Sequence, residues 1–184
     1  NATFTGLTGN TTYYARVAAM RGGFVATAFA DMGSTMTIRN PGQTWVGPSN
    51  GYWQDAANWS NGGVPVSTDP VTIDQNVTVL TYTTAPVTFG SLTLGDAAAT
   101  FAPTLVLSTG TLGAGGVIIN PGATLTQGTT YTIVVGSVTM YSGSVLKHKD
   151  NASTRQYVVA LQVIDYFDLQ AGASIAVDGL GYVG

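Results

Sequence analysis

Val117-Ile118-Ile119-Asn120-Pro121-Gly122-Ala123-Thr124-Leu125-Thr126 can be laid over Val138-Thr139-Met140-Tyr141-Ser142-Gly143-Ser144-Val145-Leu146-Lys147, and again over Phe167-Asp168-Leu169-Gln170-Ala171-Gly172-Ala173-Ser174-Ile175-Ala176. Each copy reads apolar-x-apolar-x-x-Gly-small-x-apolar, two short strands bent at a glycine with apolar side chains turned to one interior. The glycines lie 21 and then 29 residues apart, which fits a solenoid turn of about 20 residues with an insertion in the second interval. Lys147 to Arg155, a strongly polar stretch, is read as that insertion. Val71 to Val79, Val87 to Leu94 and Leu105 to Leu112 follow the same short-strand spacing more loosely. The pattern predicts an all-β chain folded as a right-handed parallel β-helix, with a β-sandwich as the alternative. Ile118, Leu125, Val138, Leu146, Leu169 and Ile175 are expected to line one core.

Composition agrees. Of 184 residues 45% are hydrophobic and only 8% charged, and Glu is absent. Without Glu, and with few Lys and Arg, an exposed amphipathic helix has no stock of solvated residues to draw on. Thr, Gly, Ser and Asn, which suit strands and tight turns, fill the remainder. A net charge of −3 provides no basic footprint for nucleic acid. Cys is absent, which removes disulfides, thiolate metal ligands and thiol nucleophiles together. No apolar run is long enough to span a bilayer as a helix.

The domain reading places residues 1–39 as C-terminal strands of one domain, 40–70 as a Trp-rich cap or linker and 71–184 as a truncated β-helix segment. Thr11 to Ala19 alternates as a strand, Arg21-Gly22-Gly23 turns, and Phe24 to Ile38 returns as its partner. Leu7-Thr8-Gly9-Asn10-Thr11-Thr12-Tyr13-Tyr14-Ala15-Arg16-Val17-Ala18-Ala19 resembles the end of a fibronectin type III domain. The resemblance implies that Tyr13 stands at a tyrosine corner, its hydroxyl bonded back to the upstream chain. It covers about a fifth of the chain, and an isolated hairpin is marginal in water. Absent sequence, the following domain or another subunit is therefore expected to complete it. The chain is read as a piece of something longer.

Asn40-Pro41-Gly42 marks the boundary. Beyond it come Trp45, Trp53, an Asn58-Trp59-Ser60 triplet, Val64-Pro65 and Asp69-Pro70-Val71-Thr72-Ile73. This stretch resembles the start of parallel β-helices in bacterial adhesins and autotransporter-like proteins. An open solenoid end needs large apolar side chains to cover it, and the three tryptophans supply them.

Several residues invite a chemical reading. Gly179-Leu180-Gly181-Tyr182-Val183-Gly184 spells a dinucleotide fingerprint, but that chemistry needs a helix N-terminus after the glycines, so a solenoid turn is expected. Asp178-Gly179 echoes a calcium-binding Gly-Asp repeat without its full nonapeptide. His148, the one histidine, sits between Lys147 and Lys149 and reads as a solvated loop residue. Asp165 and Asp168, three apart on a strand, would point to opposite faces rather than form an acid pair. The Asn-Thr-Asp, Asp-Asp and Gly-His-Gly motifs of polygalacturonase-like enzymes are absent. Asn-x-Ser/Thr occurs at Asn1, Asn10, Asn58, Asn76 and Asn151, which are candidate sugar acceptors. Trp45, Trp53 and Trp59 would stack on sugar rings if exposed, against the reading in which they are buried in the cap.

The expectation is a non-catalytic structural or adhesive segment of an extracellular or cell-surface protein, a filament or stalk subunit, with no cofactor and no metal. Expected partners are further copies, the rest of a parent chain, or cell-surface carbohydrate. The alternative is a carbohydrate-binding or polysaccharide-degrading β-helix module, which an exposed groove with aligned aromatics or carboxylates would favour.

Overall fold

A computed structural model describes residues 11–18, 20–21, 24–25, 28–36, 42–82, 86–108 and 115–181. Two compact units emerge, Asn1–Asn40 and Pro41–Gly184.

In the first unit, β1 (Thr12–Val17) pairs antiparallel with β4 (Ala30–Met36), and β2 (Met20–Arg21) with β3 (Phe24–Val25). The register shifts between Tyr14↔Ser34 and Arg16↔Asp31, leaving an extra residue on β4. Gly33 takes a left-handed φ of 86° there, and its N–H donates to Asp31 Oδ1. This is the local chemistry of a glycine bulge. Leu7, on which part of the fibronectin-like motif rests, lies outside the described residues.

The second unit is a parallel β-solenoid of about five turns. Its strands are β5 (Gln43–Thr44), β6 (Asn50–Tyr52), β7 (Pro70–Ile73), β8 (Thr78–Leu80), β9 (Ser91–Leu94), β10 (Thr104–Leu107), β11 (Gly116–Ile119), β12 (Thr124–Gln127), β13 (Ile133–Met140), β14 (Val145–His148), β15 (Leu161–Leu169) and β16 (Ser174–Ala176). The odd-numbered strands form one six-stranded sheet and the even-numbered strands another. Every pairing in both sheets is parallel, which decides against the β-sandwich. A single 3₁₀ turn at Ala56–Asn58 is the helical content among the described residues. No helix there is long and apolar enough to cross a membrane.

The internal repeat is realised residue for residue. Val117 pairs with Val138 and Val138 with Phe167, while Leu125 pairs with Leu146 and Leu146 with Ile175. Gly122, Gly143 and Gly172 all adopt φ between 80° and 86°, which an L side chain takes only with strain. Their turns stack directly: Gly122 N–H donates to the Gly143 carbonyl at 3.1 Å, and Gly143 N–H to the Gly172 carbonyl at 2.8 Å. The small residue after each glycine turns into the corner, where Ala123 and Ser144 are fully buried.

Three inward columns build the core. Val71, Leu92, Val117 and Val138 form the first, Ile73, Leu94, Ile119 and Met140 the second, and Val79, Leu105, Leu125 and Leu146 the third. Ile118 is not among them. It lies between two inward residues, and the two-residue period of a strand turns it outward, 38% exposed. Leu169 and Ile175 continue inward columns by register yet are exposed, because no strand pairs with the far side of β15 or β16 among the described residues.

The Trp-rich stretch contributes the first rung, β5 and β6, as well as covering it. The inserted polar loop begins later than the sequence implies: Lys147 and His148 belong to β14, and residues 149–160 form the excursion. It folds around buried Asn151, whose Oδ1 accepts from the Gln156 and Tyr157 amides and whose Nδ2 donates to the Tyr157 and Leu180 carbonyls.

Candidate functional site

The two ends of the solenoid are built differently. At the first rung, residues 58–63 run back over β5. Val46 N–H donates to the Asn58 carbonyl and Ser60 N–H to the Thr44 carbonyl, so the first edge of the odd sheet is hydrogen-bonded. Buried Gln43 adds a bond from Nε2 to the Gly63 carbonyl. Behind this strap, Trp45, Trp53 and Trp59 are 0%, 0% and 1% exposed. Trp59 meets Trp45 edge-on at 5.2 Å and Trp53 at 4.8 Å, and Trp53 reaches Phe89. Trp45 Nε1 donates to the Pro48 carbonyl and Trp59 Nε1 to the Trp53 carbonyl, whereas Trp53 Nε1 is buried without a partner. Packing here is tight enough that a Cβ on Gly47 would come within 2.6 Å of the Asn58 side chain. Nothing in the bare sequence singles out Gly47, because its requirement comes from a side chain eleven residues away.

At the sixth rung the same columns lie open among the described residues. Phe167, Leu169 and Ile175 are 38%, 47% and 44% exposed, although their register partners Val138, Met140 and Leu146 are buried. β15 carries a register shift opposite Val135 and Ser137, with Ile164 and Asp165 in the extra length. The outcome is an apolar floor edged by two strands whose outer sides have no partner among the described residues, the arrangement that accepts a further strand.

No protein-family model, curated protein or solved structure matches the chain. The fibronectin-like and adhesin-like readings are therefore carried by this sequence alone.

The residues proposed for chemistry are scattered by the fold. His148 is interior, 8% exposed, and its Nδ1 lies 2.6 Å from the Lys149 carbonyl. A carbonyl only accepts, so Nδ1 is the donor. The solvated loop histidine expected from the neighbouring lysines is thus a buried strand residue, because Lys147 and Lys149 alternate outward around it. Asp165 and Asp168 are both exposed on β15, and the bulge between Val163 and Tyr166 breaks the strict alternation that would set them on opposite faces. Asp168 accepts from Gln170 Nε2. Among the described residues no three of His, Asp or Glu gather as metal ligands.

The tryptophan rings offer no open face for a sugar, being interior. Asn58 and Asn151 are buried with Nδ2 spent on the Tyr52 carbonyl and on the Tyr157 and Leu180 carbonyls, so neither presents a free amide for glycan attachment. Asn76 is exposed and accepts from the Ala102 amide; Asn1 and Asn10 lie outside the described residues. Asp178 and Gly179 form a turn, with Gly179 at φ 71°, and Tyr182 to Gly184 lie outside the described residues.

Sequence reasoning missed the exposed tyrosines. Tyr52 and Tyr82 stack at 4.5 Å, and the Tyr82 hydroxyl donates to Asp55 Oδ1. Partial desolvation and the Asp55 carboxylate both raise the Tyr82 pKa. The 30-residue separation of these rings in sequence gives no local signal; only the rung pairing Tyr52↔Leu80 brings them together.

Proposed function

We propose that the chain is a non-catalytic structural segment of an extracellular surface protein, a rigid stalk that joins end-on to a second copy through its sixth rung. The observation that carries this is the exposure of Phe167, Leu169 and Ile175, which occupy core positions by register. A further side chain from a facing rung would complete each column as the preceding rungs complete one another. A second copy brings the same floor and the same unpaired edges, so a two-fold interface is self-complementary. The edge of the first rung is already bonded by its strap, through the Val46 and Ser60 amides, which favours a tail-to-tail pair over an open filament. Few charges oppose the approach, since only 8% of residues are charged.

Sedimentation equilibrium on the 184-residue chain tests this. A concentration-dependent dimer is expected, abolished by Ile175→Asp without loss of the far-UV spectrum, because a carboxylate at a half-open position stays solvated in the monomer. A monodisperse monomer across the whole concentration range refutes the end-on pairing.

A further inference from the structure

The outer face of the odd sheet carries a row of threonines. Thr44, Thr72 and Thr93 pair in register, then Ile118, then Thr139 and Asp168. Ile118 breaks the row with an aliphatic side chain that the fold does not require there, since its column faces outward. It forms the floor of a shallow groove with Thr93, Asn120 and Pro121, walled by Ala97 on one side and Tyr141 on the other. Tyr141 is itself an exposed residue.

The groove is preformed. The loop bearing Ala97 is fixed by Phe101 N–H donating to Asp96 Oδ1, Ala102 N–H to Asn76 Oδ1, Gly95 N–H to the Ile73 carbonyl and Asn120 Nδ2 to the Gly95 carbonyl. Its volume of about 280 Å³ is at or below the ~300–1,000 Å³ that engulfs a drug-sized ligand. It therefore receives one ring of a larger molecule rather than a whole ligand.

We propose that this groove is a subsite for one neutral pyranose ring of a polysaccharide, with Ile118 and Tyr141 against the ring's C–H face and the Thr93 and Thr139 hydroxyls at its rim. Three features identify the ligand class. Among the described residues no charged side chain lines the groove, so an ionic group entering it would lose hydration without a counter-charge. The flanking threonines stand on strands about 4.8 Å to either side of β11, and a purely aliphatic guest would leave their hydroxyls without partners. Strand addition by a peptide is closed here, because β11 is paired on both sides by β9 and β13. A sugar ring offers an apolar face bordered by hydroxyls, and an aromatic ring with a polar tip is suited to it. This site lies on the lateral face and does not depend on end-on pairing: a monomeric chain would bind equally.

The test is affinity electrophoresis of the chain through gels containing laminarin, mannan, galactomannan, xyloglucan or hydroxyethylcellulose, with the apolar dye ANS as a separate probe. Ile118→Thr restores the residue found at four other positions of the row and preserves strand propensity; Tyr141→Ala removes the wall. Retardation by at least one polysaccharide is expected, weakened at least tenfold in each variant, with unchanged urea midpoint for Ile118→Thr. Retardation by none of the five overturns the assignment. So does retardation that both variants leave intact, or loss of ANS binding in the variants where no polysaccharide is retained, which would mark an apolar side-chain pocket instead.

Discussion

Replacing Leu146 with Asp tests the register of the whole solenoid, with Ile118→Asp as its opposite. Leu146 is 1% exposed between Leu125 and Ile175, with nearby Ser144 Oγ already buried and unpartnered. Losing the aliphatic side chain alone should cost about 2.7–5 kcal/mol, the range for buried leucines cut back to alanine. The new carboxylate has no cation beside it in the column and must take up a proton to stay inside. Raising its pKa by roughly 3 units adds about 4 kcal/mol at neutral pH. The sum, about 7 kcal/mol or more, is comparable with the 5–15 kcal/mol that typically holds a domain together. Ile118→Asp, on the outer row, should cost about 1 kcal/mol, the span of strand propensity. Urea unfolding followed by far-UV circular dichroism at pH 7 reads both. Leu146→Asp should be unfolded or nearly so without denaturant, and part of its structure should return on acidification as the carboxyl neutralises. If Leu146→Asp unfolds within 1 kcal/mol of the parent, or Ile118→Asp is equally damaging, the inward and outward assignments are wrong.

Gly143→Ala should destabilise by about 1–2 kcal/mol from its left-handed φ alone, since its Cβ would meet nothing closer than 3.8 Å. Gly172→Ala should cost more, because its Cβ would also press on Ser142 Oγ; equal thermal shifts for the two would refute the difference. Trp59→Phe removes a buried hydrogen bond and should be the more costly by about 1–2 kcal/mol compared with Trp53→Phe, which removes an N–H that has no partner. Equal urea midpoints would contradict that ordering. At Asp96, desolvation works to raise the pKa, but hydrogen bonds from Phe101, Thr100 and Ala98 outweigh it and hold the carboxyl below its ordinary value. A depressed folded pKa contributes stability above the ordinary aspartate range and loses it as pH falls through the folded value. The Phe101 amide proton shift should therefore titrate with a midpoint below that of an unstructured aspartate, and a midpoint at or above it would refute the bonded geometry.

The repeat around Gly122, Gly143 and Gly172 was fully legible in sequence, because each turn imposes a backbone that glycine adopts without strain and each flanking strand alternates with period two. Those are local constraints, so spacing alone announced a parallel solenoid; the Trp-rich stretch was expected only to cover its open end, and the pairing of β5 with β7 and β6 with β8 makes it a rung as well. What the sequence left open were the properties that depend on neighbours distant along the chain. In Val117-Ile118-Ile119 three apolar residues run together, so period alone does not say which one points out; the pairing with Thr93 and Thr139 does. His148 looks solvated between two lysines and is buried because its column lies inside. Leu169 and Ile175 read as core and are half-open, since burial belongs to the next rung rather than to the residue. The stacked tyrosines and the groove over Ile118 likewise exist only after rungs about 20 to 30 residues apart are laid against one another. Local backbone chemistry determined the coil; its stacking decided which side chains face water, and therefore every surface on which a partner acts.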